Sequence, residues 1–285
     1  MSDFTQGIYY DVPFDVYAQE PGLNPSKLKN GRKSMKHMRH YSEHGSKGTA
    51  AMSKGVNIHT AILEPQRFFS EALVFPGPYT KSTKATKKWK EFAADCEGSG
   101  RVGLMPDEME ALQGISNSVH SDPIAHAMID GMAHEVCMFW EDNIVGACKC
   151  RIDLLNEARA AIGDKKTTGD ISPWCFANTQ YRMGTHIQMA WAAWGLEVIT
   201  GKKASSVGII GIEQDAPHDV AVFDVSAACM ERGLSEGKDI AMRYRIAQST
   251  QCYQGIAGGE RLILDLPRFA GGQQEDTHET WEVGE

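Results

Sequence analysis

Residues 146–168 read GACKCRIDLLNEARAAIGDKKTT, and the periodicity of this stretch decides the fold. From 148 to 154 a strand puts Cys148, Cys150, Ile152 and Leu154 on one face and Lys149, Arg151 and Asp153 on the other. One face is core and the other is charged. After a turn at Asn156-Glu157, residues 159–167 read as the next strand. Asp164 and Lys166, two residues apart, share a face there at roughly 6.5–7 Å, and Lys165 points the opposite way. Neighbouring strands lie ~4.8 Å apart, so Asp153 stands beside Asp164 if the register allows. Two such carboxylates repel unless a cation lies between them. Hard oxygen donors favour Mg²⁺ or Mn²⁺ over zinc, and a nearby lysine suits the charge that grows on a phosphoryl group under hydrolysis. A salt-bridged, solvent-facing strand is the competing reading. The other Asp/Glu-x-Lys match, Glu236-x-Lys238, lies in a helical stretch and reads as surface charge, and Pro106-Asp107 reads as a helix start.

Outward from this core, 135–142 (EVCMFWED) is a preceding strand with a turn at Asp142-Asn143. A helical stretch runs from Ser172 to about Val198, loosened at Gly184, and strands near 206–213 and 219–225 and a helix near 227–249 follow. Upstream, helices are expected near 26–44, 50–64 (stopped by Pro65), 84–96, 107–120 and 122–130. This order describes an α/β or α+β protein with a mixed sheet flanked by helices. In 285 residues it fits one domain, 1–270, with a helical part at 1–131 and a core at 132–270. The acidic segment 271–285 is expected to be a disordered tail.

A formal net charge of -8 argues at first against a partner as acidic as DNA. Counted by segment, the picture reverses. Residues 26–54 hold eight Lys/Arg (Lys27, Lys29, Arg32, Lys33, Lys36, Arg39, Lys47, Lys54) against Glu43 alone. Residues 81–90 add five lysines (Lys81, Lys84, Lys87, Lys88, Lys90) and no acid, which leaves the rest of the chain at -20. Two basic stretches on an acidic body suit a focused polyanion site, although a solvated basic face has the same composition.

Other classes fall away. No apolar run approaches the roughly 18 residues of a membrane span, and the first residues lack a secretory pattern, so a cytoplasmic protein is expected. The seven cysteines are scattered, and only Cys148-x-Cys150 is close, which reads as buried reduced thiols in preference to a metal cluster. Gly195 to Gly201-Lys202 has the wrong spacing for a phosphate loop, and Lys203 follows where Ser or Thr should stand. His59 shares a helical face with Gly55, Val56, Ile62 and Leu63, so it is either a core histidine or a ligand. Gln188 lies in the long helix near Tyr181, Gly184, Thr185 and Trp191.

Taken in order, GVNIHTAILEP (55–65), Glu135 to Trp140, CKCRID (148–153), DKKTT (164–168), Ile171-Ser172-Pro173 and His186-Ile187-Gln188 resemble the nuclease domain of RecE-type exonucleases (exodeoxyribonuclease VIII). That family lies in the RecB-like branch of the PD-(D/E)xK superfamily. Pro21 to Leu28 and Leu266-Pro267-Arg268-Phe269 look like its edges. The resemblance implies a restriction-endonuclease-like core and metal ligands at His59, Asp153, Asp164 and the backbone carbonyl of Lys165. It implies catalytic roles for Lys166 and Gln188, and for Glu135 a second-metal role. It further implies Mg²⁺, with Mn²⁺ as substitute, and 5′ to 3′ degradation of linear double-stranded DNA to leave 3′ tails for recombination by strand annealing. A homotetramer and a single-strand annealing protein as partner belong to the same expectation, in a bacterial or phage-infected cell. DNA contacts are expected at Lys27, Arg32, Lys33, Lys36, Arg39, Lys84, Lys87, Lys88, Lys149 and Arg151. Two departures stand out: Ile152 replaces the usual proline before the first aspartate, and Lys165 replaces an apolar residue between Asp164 and Lys166. An inactive DNA-binding or assembly protein on the same scaffold is the alternative.

Overall fold

The computed structural model describes residues 4–46, 48, 50–80 and 82–264. The expected tail at 271–285, the edge motif at 266–269, Lys47 and Lys81 lie outside the described residues. The chain begins with β1 (Gly7–Tyr9) and α1 (Phe14–Gln19). The basic stretch 26–44 is two helices, α2 (Pro25–Gly31) and α3 (Met35–His44). Each has its own start: Asn24 Oδ1 accepts from the Lys27 amide at 2.9 Å, and Ser34 Oγ accepts from that of His37 at 3.3 Å. Next come α4 (Ala50–Leu63) and α5 (Pro65–Glu71), so Pro65 ends one helix and occupies the first turn of the next. β2 (Ala72–Val74), α6 (Lys87–Gly98) and β3 (Val102–Leu104) follow, with β2 and β3 paired in parallel apart from the main sheet. Then come α7 (Pro106–Ser121) and α8 (Pro123–Ile129).

The core comprises β4 (Ala133–Asp142), β5 (Gly146–Asn156), β6 (Ala161–Thr168), α9 (Pro173–Met183), α10 (Thr185–Thr200), β7 (Ser206–Glu213), β8 (Val220–Asp224) and α11 (Ala227–Thr250). The long helical stretch is broken at Gly184, whose φ of +71° is the left-handed turn that glycine adopts without strain. The six-stranded sheet has the order β1-β4-β5-β6-β7-β8. In this sheet only β6 and β7 are parallel, joined by a crossover through α9 and α10.

Helices cover both faces. On one, α10 packs on β4, β5 and α11, around Trp140, Trp191, Ile187 and Leu28. Gly233 of α11 lies against the backbone of α10, where an added Cβ would come 2.2 Å from the His186 carbonyl oxygen, so a larger residue would force the helices apart. On the other face α4, α7 and α8 bury Ile62, Ile115 and Ala125 against Leu154, Ile210 and Ile212. Burial of each large side chain in these layers contributes about 1.5–3 kcal/mol. A third, smaller cluster joins Val12 and Tyr17 to Cys137 and Phe139.

That N-terminal cluster corrects one expectation. Lys149 does not face solvent or DNA: it is 1% exposed, and its ammonium donates to the carbonyl oxygens of Tyr17 (2.5 Å), Ala18 (3.3 Å) and Glu20 (2.6 Å). The last turn of α1 leaves carbonyls without partners, and this lysine satisfies them. Burial pushes its pKa down to about 8. Cys148 and Cys150 are buried, and burial drives both thiols up, as packing cysteines require; Cys252, in contrast, is exposed.

Candidate active site

The β5–β6 ladder is short. It runs from Asn156↔Ala161 to Leu154↔Gly163, while β5 stays paired with β4 and β6 with β7. One further step in the same register sets Asp153 against Asp164, where the two strands part. Asp153, Asp164 and Gln188 line a small cleft at that point. The β4–β5 ladder is also interrupted there: His134↔Leu154 and Val136↔Ile152 pair, and between them Glu135 has φ +56°. A left-handed glutamate within a strand costs about 1–3 kcal/mol, and such strain collects at functional sites. The kink turns the Glu135 carboxylate toward His59.

His59 comes from α4. Its Nε2 contacts Glu135 Oε1, and its Nδ1 lies 3.7 Å from Asp153 Oδ2 and in contact with Lys165 Nζ. Lys165 Nζ is 3.4 Å from Asp153 Oδ2, and Arg151 pairs with the other oxygen of Glu135. Lys166 Nζ lies 2.5 Å from Asp164 Oδ2. The site is therefore a chain of alternating charges. Burial alone would raise the Asp153 carboxyl, but Lys165 and then Lys166 outweigh it and hold this group well below the usual carboxylate range. Asp164 moves the other way, to about 6, because burial and its neighbour Asp153 outweigh Lys166. Lys166 itself is raised: Asp164 and Asp153 overcome the cost of its burial.

The donor set is specific. His59, Glu135 and Asp153 each offer a ligand atom within 4.8 Å of the other two. Donors around a divalent ion lie roughly 2–2.6 Å from it, so this spacing fits one ion with an imidazole and two carboxylates. Of the expected ligands, His59 and Asp153 come together, Glu135 joins them, and Asp164 stands beside Asp153 on the Lys166 side. Gln188 Oε1 accepts from Lys29 Nζ at 2.7 Å. Lys29 was not singled out by sequence; only its place in the basic stretch hinted at it. Burial and the nearby Lys166 push it down to about 8.

The expected DNA contacts divide. Arg32 is committed elsewhere: its Nε meets Glu236 at 2.7 Å and its guanidinium caps α9 at the Tyr181 carbonyl, 2.8 Å away. Glu236 also holds His186 at 3.0 Å, so it is an internal hub and not the surface charge that its helix position suggested. Arg151 is tied to Glu135, and Lys27 donates to the Gly22 carbonyl at 2.8 Å. Lys33, Lys36 and Lys88 are exposed. Arg39, Lys84 and Lys87 are exposed but paired with Glu43, Glu108 and Glu91. Among the described residues no helix is long and apolar enough to cross a membrane.

Residues 25–258 match the family described as a PDDEXK-like domain of unknown function (DUF3799). Among solved structures, a candidate exonuclease from Eubacterium rectale is similar, with 13% identity and a TM-score of 0.58 over 87% of this chain and 92% of that one. A phage related exonuclease from Haemophilus somnus 129PT matches at 12% identity over 81% of this chain and 96% of its own, with a TM-score of 0.34. No curated protein matches. The first of these likenesses agrees with the fold.

Proposed function

The chain belongs to the PDDEXK-like family DUF3799, and on that premise we propose that it is a metal-dependent deoxyribonuclease. The observation that carries the reading is Asp153 brought against Asp164 at the strand split, with Lys166 on Asp164 and His59 closing the far side. Hydrolysis of a phosphodiester adds a water oxygen to phosphorus and expels a sugar oxygen, which takes up a proton. Asp153, Asp164 and His59, with the Lys165 carbonyl, would hold a Mg²⁺ ion, for which Mn²⁺ substitutes, and Glu135 would serve that ion or a second one. A bound divalent ion supplies Lewis acidity toward the phosphoryl oxygen and a more acidic water. Lys166 orients that water or neutralises the charge gathering on phosphorus, and Gln188, held by Lys29, positions the phosphate from the α10 side.

Within this class we favour a RecE-type role: 5′ to 3′ digestion of linear duplex DNA that leaves 3′ single-stranded tails for an annealing protein, by a homotetramer in the cytoplasm of a bacterial or phage-infected cell. The residue-by-residue likeness of the six segments supports this finer reading, with residues 1–270 acting as a single nuclease domain. The test is release of nucleotides from end-labelled linear duplex with Mg²⁺, alongside Lys166→Ala. Wild type should digest the duplex from 5′ ends only when Mg²⁺ is present, and the variant should not. Absence of metal-dependent release by wild type sinks the enzyme and leaves an inactive DNA-binding protein; digestion from 3′ ends sinks only the RecE-type assignment.

A further inference from the structure

Lys165 sits between the two motif residues, where the resembling family packs a hydrophobe. Its side chain is 4% exposed, and its ammonium contacts His59 Nδ1 and lies 3.4 Å from Asp153 Oδ2. The other imidazole nitrogen, Nε2, contacts Glu135. Lys165 therefore engages two of the three donors that could hold a divalent ion. A lone pair on Nδ1 cannot serve an ammonium and a metal together. An ammonium and a divalent ion held by the same donors in a buried site would also repel each other strongly, with little water to screen them. Lys166 engages a different donor, Asp164, outside the group of His59, Glu135 and Asp153, and leaves those three untouched.

We infer that Lys165 is a resident cation that competes with the divalent ion for His59 and Asp153, and so sets the metal affinity of this site. The ammonium keeps the acidic cluster assembled, and the ion enters only as that ammonium withdraws. A buried lysine with a purely structural role would instead leave metal affinity unchanged or, by holding the donors in place, improve it. The inference rests on the reading of this cluster as a metal site, but it does not need the protein to be a nuclease.

Isothermal titration of the full chain with Mn²⁺ decides it, on wild type, Lys165→Met, Lys165→Gln and Lys165→Arg, with thermal melting in EDTA to establish that each is folded. The two neutral variants should bind Mn²⁺ at least tenfold more tightly than wild type, and Lys165→Arg, which keeps the charge, no more tightly. Met preserves the stem and Gln a polar tip, so a folding defect in one leaves the other to decide. Equal or weaker binding by the folded neutral variants overturns the inference, and so does tighter binding by Lys165→Arg. If none of the four proteins binds Mn²⁺, the metal reading falls with it. A wild type that binds Mn²⁺ but leaves DNA intact would overturn the nuclease reading alone, because these affinities are read without DNA.

Discussion

Lys149 and Lys165 lie on neighbouring strands and are both buried, 1% and 8% exposed, yet different oxygens and nitrogens hold them. Lys149 ends among neutral backbone carbonyls at the C-terminal end of α1, which offer a divalent ion neither a carboxylate nor an imidazole. Lys165 ends against a carboxylate and an imidazole, which a divalent ion can take. Burial pushes both lysines below their ordinary value. The same residue, in nearly the same degree of burial, is thus a structural pin on one strand and an exchangeable cation on the next. Burial of a charge says little about its role until the chemistry of its partner is known.

The sharpest break between the two regions is expected at Asp164. Burial already opposes its charge, so Asp164→Asn should leave the melting temperature near or above that of wild type. DNA cleavage should nevertheless fall by about 10³-fold or more, since a carboxylate of the reacting centre is gone. Initial rates with Mg²⁺ and a melting curve check both halves. A variant that melts early and still cuts would place Asp164 with Lys149, among the structural residues.

Lys149→Met should do the reverse. Three carbonyls lose their donor, at a cost of roughly 2 kcal/mol in urea unfolding, while Mn²⁺ affinity stays at the wild-type value. Its pH dependence has a definite sign. Folding lowers the Lys149 pKa from 10.5 to about 8. Between those values the unfolded chain holds a proton that the folded chain has released, so wild-type stability rises with pH across the window relative to the variant. The gap between the two proteins should therefore widen from pH 8 to pH 10; a gap that closes would mean that the charged ammonium is what stabilises α1.

This pair also marks how far the sequence could be read. Alternation in 148–152 identified the strand, because a period of two transmits directly into which face a side chain takes. It fails at Leu154, which leaves the face of Cys148, Cys150 and Ile152 and packs under α4, α7 and α8, next to the kink at Glu135. The β5–β6 register nevertheless brings Asp153 beside Asp164, as the spacing anticipated. The same rule misplaced Lys149, since nothing local records that α1 folds back over that face. β2 and β3 are too short to show a period. The left-handed turn at Glu135, which no glycine announces, and the Lys29–Gln188 contact across 159 positions are tertiary events with no local signature. His59 was legible only as one of two possibilities, because a ligand and a core histidine leave the same stripe on a helix.

The smallest effect concerns the exposed basic surface, where ion pairs separate residues of equal charge. Arg32 is held by Glu236 and the end of α9, so its reversal would damage packing and tell nothing about DNA. Lys36 is exposed on α3 and free to meet a phosphate without disturbing the core. If α3 borders the DNA path, Lys36→Glu should weaken duplex binding several-fold, with Ca²⁺ in place of Mg²⁺, and lower the slope of log affinity against log salt by about one, the signature of one lost phosphate contact. Its unfolding curve should superimpose on that of wild type. An unchanged salt slope would remove Lys36 from the DNA path and leave Lys33, Lys88 and the lysines of the cleft as the cations to test next, so the measurement decides whether this face of α3 meets DNA or only covers a surface.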